Sequence, residues 1–234
     1  MKPEQKSRFV LMGLFALIGG ATIVVGLLTR DTESEKPDEV VPPASQPISN
    51  SRSALIVVDV QADFWIPEIA GEFPHFEQRT AELLATCRGQ KIEVVHVRTR
   101  YDKDLANWPD AFLNIHRSSQ LCREDTAGEE PLSCALELEG EALFRKANLD
   151  PFTNDGFTKY LKDSGFEKLY VCGLYTDVCV LTTAMSAFNR GYKVSLVPDC
   201  CASTRSTHDF TLNRYGDFIF SVEPSTSLNP EPPK

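Results

Sequence analysis

Three residues whose side chains can do chemistry follow short apolar runs in this 234-residue sequence. Asp59 lies near the end of the run ALIVVDV, Lys146 follows the apolar residues ALF, and Cys179 comes shortly after the run KLYVCGL. A carboxylate can transfer a proton, an ammonium group can balance charge, and a thiol can attack a carbonyl carbon. We therefore expect a site in which Cys179 is the nucleophile, Asp59 moves its proton and Lys146 holds the charge balance.

The segment in front of Cys179 has the features of an anion-binding turn. Residues 173–178, GLYTDV, lead from an apolar run into a predicted helix, and Cys179 falls in the first turn of that helix. Free backbone N–H groups and the helix dipole favour an anion there and lower the pKa of a thiol. The nucleophile and the N–H groups that bind an oxyanion would then share one loop. The simpler alternative is that Cys179 is a packed core residue.

The elements that must position these side chains alternate between strand and helix. Short runs rich in apolar and β-branched residues predict buried parallel strands at 54–60, 91–97, 168–174 and 193–198, with an edge strand at 218–222. The intervening spacing predicts helices at 76–88, 155–164, 176–190 and 206–215. This alternation predicts a doubly wound three-layer α/β/α domain with a mostly parallel sheet over residues 53–223. Ligands bind such domains at the carboxyl ends of the strands.

The first 52 residues are predicted to lie outside that domain. After a short basic segment, residues 1–8, the uncharged residues 9–28 are long enough to cross a bilayer as a helix. They predict an uncleaved single-pass anchor, with a cleaved signal peptide as the alternative. Residues 29–52 and 224–234 are rich in Pro, Ser and acidic residues and predict a linker and a flexible tail. The flanking charges weakly favour placement of the α/β domain on the non-cytoplasmic side of the membrane.

Composition limits the partners of this protein. With 24 basic and 33 acidic residues, its net charge of −9 offers no surface for nucleic-acid phosphates, so we expect a small-molecule substrate. Ala16 and Gly20 form a small-xxx-small pair, which leaves a homo-oligomer open. None of the seven cysteines forms a CxxC pair, and Cys122 and Cys134 flank a polar loop that a disulfide could close outside the cytoplasm.

Residues 53–223 resemble the isochorismatase-like cysteine hydrolases in three segments that occur in the expected order. These segments are LIVVDVQADF, FRKANLDPF and GLYTDVCVLTTAMSAFNRGYKVSLVPDCCAST. The resemblance implies that Asp59, Lys146 and Cys179 form a catalytic triad. It also implies a cis peptide bond between Leu174 and Tyr175, and an oxyanion hole made by the backbone N–H groups of Tyr175 and Cys179.

Departures from the family pattern narrow the expected chemistry. Family nicotinamidases carry metal-binding histidines, whereas the corresponding segment RTRYDKDLANWPD has none. The sequence has four histidines, which are His75, His96, His116 and His208. Their spacing is not that of a ligand cluster, so we expect neither a metal nor another cofactor.

The retained thiol favours hydrolysis of a C–N bond in a small amide, ureido or carbamoyl substrate through a thioester. Arg98, Arg100 and Trp108 could bind a substrate carboxylate or ring. Two alternatives stay open, namely a non-catalytic binding or scaffold protein of the same fold and an ether hydrolysis of the isochorismatase type.

Overall fold

A six-stranded parallel sheet forms the centre of the structure, a computed structural model that describes residues 52–110 and 121–228. The strand order is β3-β2-β1-β4-β5-β6. The strands are β1 (Ser53–Val58), β2 (Glu93–Thr99), β3 (Ala142–Lys146), β4 (Lys168–Leu174), β5 (Lys193–Ala202) and β6 (Ser221–Val222). Strand β1 lies in the middle of the sheet, β2 and β3 extend it to one edge, and β4 to β6 build the other half. This order is a doubly wound topology.

The helices cover the sheet and complete a three-layer α/β/α domain. They are α1 (Pro67–Glu72), α2 (Phe76–Gly89), α3 (Asp155–Asp163), α4 (Leu181–Asn189) and α5 (Arg205–Tyr215). Helix α2 packs against β2 and β5, and α4 packs against β4 and β5. The central strand β1 is buried from Ala54 to Val58, which explains its continuous apolar sequence.

The predicted domain class is confirmed, but several boundaries differ from the predicted ones. Strand β1 ends at Val58 because Asp59 adopts a left-handed backbone conformation, with φ of 51°. Strand β5 continues through Pro198 to Ala202, four residues beyond its predicted end. The sequence did not predict β3 or the short helix α1. Strand β3 is only partly buried and carries charged residues, so it lacks the apolar run that marks a central strand.

The terminal segments are described only in part. The predicted membrane span at 9–28 and nearly all of the predicted linker lie outside the described residues. Within 52–110 and 121–228, no helix is both long and apolar enough to cross a membrane. Residues 225–228, which the sequence assigned to the flexible tail, instead form a 3₁₀ turn whose Leu228 is buried against the core.

Candidate active site

Four neighbouring strands deliver the polar side chains of the site to one edge of the sheet. Asp59 follows β1, Thr99 ends β2, Lys146 ends β3, and Cys179 lies in the π-helical turn Thr176–Val180 that follows β4. Strands β1 and β4 are adjacent in the sheet although they lie far apart in the chain, and their register pairs Val58 with Gly173. This place is the topological switch point of the sheet, where such folds bind their ligands.

 The 109 residues that lie between the two strands, 59–167, contain β2, β3 and their connections, so chain order alone does not bring Asp59 and Cys179 together.

Lys146 connects the other polar groups of the site. Its Nζ atom donates hydrogen bonds to Asp59 Oδ2 at 2.7 Å and to Thr99 Oγ1 at 2.8 Å, and contacts Cys179 Sγ at 3.5 Å. An ammonium group has three N–H donors, so each of them has a partner. The Thr99 hydroxyl donates to the second carboxylate oxygen, Asp59 Oδ1, at 3.0 Å. The predicted triad is therefore assembled, and its three members are at most 6% exposed.

Burial and charge set the protonation states of the triad. Burial by itself lowers the pKa of Lys146, but the Asp59 carboxylate and Cys179 raise this pKa by more, so Lys146 stays a cation. Burial raises the pKa of the Cys179 thiol, Asp59 raises it further, and Lys146 only partly offsets both effects. These effects together favour the neutral thiol of Cys179 over its thiolate.

This result corrects the expectation that the helix terminus would lower the thiol pKa. A helix terminus and one nearby cation favour the thiolate, but Cys179 is almost completely removed from water and lies beside a carboxylate. Loss of hydration and the like charge both disfavour the anion.

Two polar residues that the sequence analysis missed hold Asp59 and β2 in place. Thr99 contacts both Asp59 and Lys146. The buried Gln61 side chain accepts from the Thr99 backbone N–H at 2.9 Å and donates to the Thr99 carbonyl oxygen at 2.9 Å and to that of Glu129 at 2.7 Å. A polar residue at the carboxyl end of a predicted parallel strand was the available signal for Thr99.

The turn that carries Cys179 is tied to helix α5. The Leu174–Tyr175 peptide bond is cis, in agreement with the expectation from the resemblance. Thr176 Oγ1 lies 2.8 Å from His208 Nδ1, and Asp177 Oδ1 accepts a hydrogen bond from Ser203. Both contacts lie on the Cys179 side of the cis bond and hold the turn against α5 and the residues just before it. The proposed oxyanion-binding role of the Tyr175 and Cys179 N–H groups stays a prediction.

An apolar cavity of about 320 Å³ opens onto Cys179. Its wall contains the catalytic candidates Lys146 and Cys179 together with Trp108, one of the three predicted substrate-binding residues. Most of the remaining wall is aromatic or aliphatic: Phe64, Tyr101, Leu121, Leu149, Leu174, Tyr175 and Val178. A substrate whose carbonyl carbon reaches Cys179 would place its acyl group among these side chains.

Arg98 and Arg100 do not line this cavity, and their role in binding a substrate carboxylate or ring stays a prediction. Arg98 forms an ion pair with Glu137, and Arg100 forms one with Glu124. Side chains alternate between the two faces of a strand, so Arg98 points away from the face that Thr99 presents to the site. Both guanidinium groups are thereby committed to carboxylates elsewhere.

The other cysteines are packed in or against the core, and His96 and His208 have local partners. All seven cysteines are free thiols, including Cys122 and Cys134, so the structure does not contain the disulfide that the sequence left open. His96 lies 3.0 Å from Glu141 Oε2. Across residues 52–110 and 121–228, no three side chains of the His, Cys, Asp or Glu type converge as metal ligands. Independence of a metal stays a prediction, to be tested by chelation.

Comparison with known proteins identifies the family of this chain. The sequence pattern of the isochorismatase domain matches residues 53–219. The chain therefore belongs to the isochorismatase family of hydrolases. It is 28% identical over 160 residues to YddQ of Bacillus subtilis (strain 168), described as an uncharacterized isochorismatase family protein, a match that covers 65% of this chain and 78% of YddQ.

Other similar proteins show how varied this family is. A streptothricin hydrolase of Streptomyces noursei is 29% identical over 153 residues, which cover 64% of this chain and 54% of that enzyme. The structure of an isochorismatase family protein from Desulfovibrio vulgaris superposes with a TM-score of 0.67 at 26% identity, over 76% of this chain and 97% of that one. A cysteine hydrolase from Pseudomonas syringae shares the fold with a TM-score of 0.70 at 20% identity, over 79% and 93% of the two chains.

Proposed function

We propose that this protein is a cysteine amidohydrolase that cleaves a C–N bond of a small amide, ureido or carbamoyl substrate. The observation that carries the proposal is the contact of one buried ammonium group, Lys146 Nζ, with both the Asp59 carboxylate and the Cys179 sulfur, at the floor of a cavity. A thiol next to a base, with a fixed cation beside both, is the arrangement that nucleophilic catalysis requires.

The first half of the reaction forms a thioester. Asp59 accepts the thiol proton as Cys179 Sγ attacks the carbonyl carbon, and the carbonyl electrons move onto oxygen. Backbone N–H groups of the turn, those of Tyr175 and Cys179, would stabilise this oxyanion. When the intermediate collapses, the C–N bond breaks and Asp59 returns the proton to the leaving nitrogen.

The second half regenerates the thiol. Asp59 takes a proton from a water molecule, whose oxygen attacks the thioester carbon, and the C–S bond breaks as the proton returns to sulfur. Lys146 keeps its charge throughout. In the resting enzyme and in the thioester it faces the Asp59 carboxylate, whereas in each tetrahedral intermediate Asp59 is protonated and the negative charge lies on the substrate oxygen. The net charge of the triad together with the bound substrate therefore stays constant. In a site with so little water, avoiding a change in net charge lowers the energetic cost of proton transfer.

The decisive experiment replaces Cys179 and follows hydrolysis of a panel of small amides and ureides. We expect Cys179→Ala to lower kcat/KM by at least about 10³-fold, since it removes the atom that forms the intermediate. In the wild type, acid quenching during turnover should trap a Cys179 acyl adduct that mass spectrometry can detect. Cys134→Ala is the matched control, because this half-buried thiol is not part of the cavity wall.

Activity of Cys179→Ala within tenfold of the wild type would contradict the proposal. Hydrolysis of an ether substrate that persists in Cys179→Ala would instead favour the ether-cleaving alternative, which does not require the thiol. Complete absence of turnover on every C–N substrate would favour the non-catalytic alternative.

We further propose that residues 9–28 tether the hydrolase domain to a membrane, with the domain on the non-cytoplasmic side. The support is the uncharged length of this segment and the distribution of basic residues around it. Protease treatment of sealed vesicles of known orientation tests the topology. Protection of the domain on the cytoplasmic side would refute the proposed orientation without affecting the catalytic proposal.

A further inference from the structure

The cavity above Cys179 has an aromatic wall made of two ring pairs. Phe64 and Tyr175 meet edge to face, with centroids 5.6 Å apart, and Tyr101 and Trp108 pack with centroids 4.3 Å apart. All four rings line the same cavity. Such surfaces favour apolar and aromatic groups, both by removing them from water and by ring-to-ring contact.

The described part of the wall offers no free charge to a substrate. Lys146 is its one charged side chain within residues 52–110 and 121–228, and all three of its N–H donors already have partners. Two nearby arginines, Arg98 in β2 and Arg100 directly after this strand, are paired with glutamates outside the cavity. A substrate carboxylate placed here would lose its hydration without gaining a counter-ion from these described residues, which is costly.

Within the described part of this wall, the Tyr101 hydroxyl is a polar group available to a ligand, and the Asn148 amide is another. Tyr101 is 7% exposed, and no hydrogen bond joins its hydroxyl to any group in the two described ranges. The residue is held firmly, because its backbone N–H donates to the Cys122 carbonyl and its carbonyl accepts from Glu124 N–H. Burial raises the pKa of this phenol to about 12, so it remains a neutral donor near pH 7.

We propose that this cavity selects an uncharged, apolar or aromatic acyl group, and that the Tyr101 hydroxyl hydrogen-bonds an acceptor atom on it. This inference rests on the proposed function, since it names the substrate class of the same site. Among the substrates considered above, it disfavours those whose acyl part carries a carboxylate. Tyr101 acts as a residue that binds and orients the substrate, while the proton transfers stay with Asp59.

Aldehydes test this inference without requiring turnover. The Cys179 thiol adds to an aldehyde carbonyl reversibly, forming a C–S bond while its proton passes to the carbonyl oxygen, and the adduct blocks alkylation of the sulfur by iodoacetamide. Mass spectrometry of the full-length protein gives the concentration at which each aldehyde half-protects Cys179. We expect 4-formylbenzamide, which is neutral, to protect at a concentration at least about tenfold lower than 4-carboxybenzaldehyde, which has the same shape and a negative charge.

The Tyr101 hydroxyl is tested with a second pair of probes and one conservative variant. The three pyridinecarbaldehydes place an acceptor nitrogen at different ring positions, and benzaldehyde has none. For each isomer and each protein, we divide the protecting concentration of the isomer by that of benzaldehyde. For at least one isomer, this ratio should differ by about 3- to 10-fold between the wild type and Tyr101→Phe, which is the effect of one hydrogen bond. Comparing ratios removes the different intrinsic reactivities of the aldehydes.

The control variant is Tyr192→Phe, which removes the hydroxyl from a ring that packs against Phe152 outside the cavity. It should leave all ratios unchanged. Equal or better protection by the carboxylated probe overturns the charge preference, and ratios that differ by less than twofold for all three isomers overturn the role of Tyr101. Failure of the proposed function would look different, because aldehydes would protect Cys179 while no amide is hydrolysed.

Discussion

The ammonium group of Lys146 lies 2.7 Å from the carboxylate of Asp59. Both residues are buried, with 4% of Lys146 and 0% of Asp59 exposed to solvent. An ion pair so completely removed from water contributes little net stability, because the lost hydration offsets most of the attraction. Its retention in the core is better explained by chemistry. The pair holds a base and a fixed cation against Cys179, which is what the proposed reaction needs.

The first prediction concerns the two halves of this ion pair. Asp59→Asn leaves Lys146 buried without its counter-ion, and Lys146→Met leaves Asp59 in the same condition. Each single variant should lower the free energy of unfolding by about 3–5 kcal/mol. The double variant buries no uncompensated charge, so its stability should recover most of that loss, while its kcat/KM stays at the level of the single variants.

Urea denaturation and turnover measurements on the four proteins check this prediction. A double variant with the summed instability of the two single ones would show that the residues do not interact. Recovery of activity together with stability would show that the pair is structural.

The second prediction concerns the close approach of β4 to β1 beside the site. Gly173 has φ of 127°, and a Cβ atom added to it would lie 1.9 Å from the Val58 carbonyl oxygen. Gly173→Ala must therefore move one of the two strands that carry Asp59 and Cys179. We expect a loss of more than about 3 kcal/mol in the free energy of unfolding, or failure to fold.

Gly71→Ala is the matched control for this substitution. Gly71 lies in helix α1, and an added Cβ would meet nothing within 4 Å. The same change there should stabilise the protein by about 0.5–1 kcal/mol, since alanine is the better helix former. Similar effects of the two substitutions on the urea midpoint would contradict the steric argument.

The third prediction is a loss of stability at alkaline pH. Burial raises the pKa of Cys87 and Cys201 to about 12, whereas a thiol in the unfolded chain ionises near 8.5. A raised folded-state pKa contributes stability that is complete below about pH 8.5 and is lost as the pH rises toward 12. Each such thiol should lower the free energy of unfolding by up to about 1.4 kcal/mol per pH unit in that range.

Urea denaturation at several pH values between 7.5 and 10.5, with a reductant present, measures this slope. In the Cys87→Ala/Cys201→Ala double variant, the slope should be shallower by the contribution of two thiols, whatever the effect on absolute stability. Parallel pH profiles for the two proteins would contradict the argument.

The fourth prediction is that hydrolysis does not depend on a metal. Attack by a thiol with an oxyanion hole requires no Lewis acid, and the segment RTRYDKDLANWPD lacks the histidines of the metal-binding family pattern. Dialysis against a chelator should leave kcat and KM unchanged. A loss of activity that zinc or iron restores would return the protein to the metal-dependent branch of the family.

The sequence by itself determined the class of domain and the identity of the triad candidates. Continuous apolar runs at β1 and β4 mark central parallel strands, because both of their faces must be buried. Polar residues directly after such runs mark the carboxyl edge of the sheet, which is how Asp59 and Cys179 could be selected. Lys146 was selected because it follows the apolar residues ALF, even though β3 itself was not predicted.

The tertiary structure alone decided how these residues meet. Asp59 and Lys146 are 87 positions apart, and they touch because β3 pairs with β2, which pairs with β1, in registers that no local pattern encodes. The same registers turn Arg98 away from the site and Thr99 into it. The aromatic cavity and the raised pKa of Cys179 arise from side chains of many segments, and burial is a collective property of the packed chain rather than of any one segment.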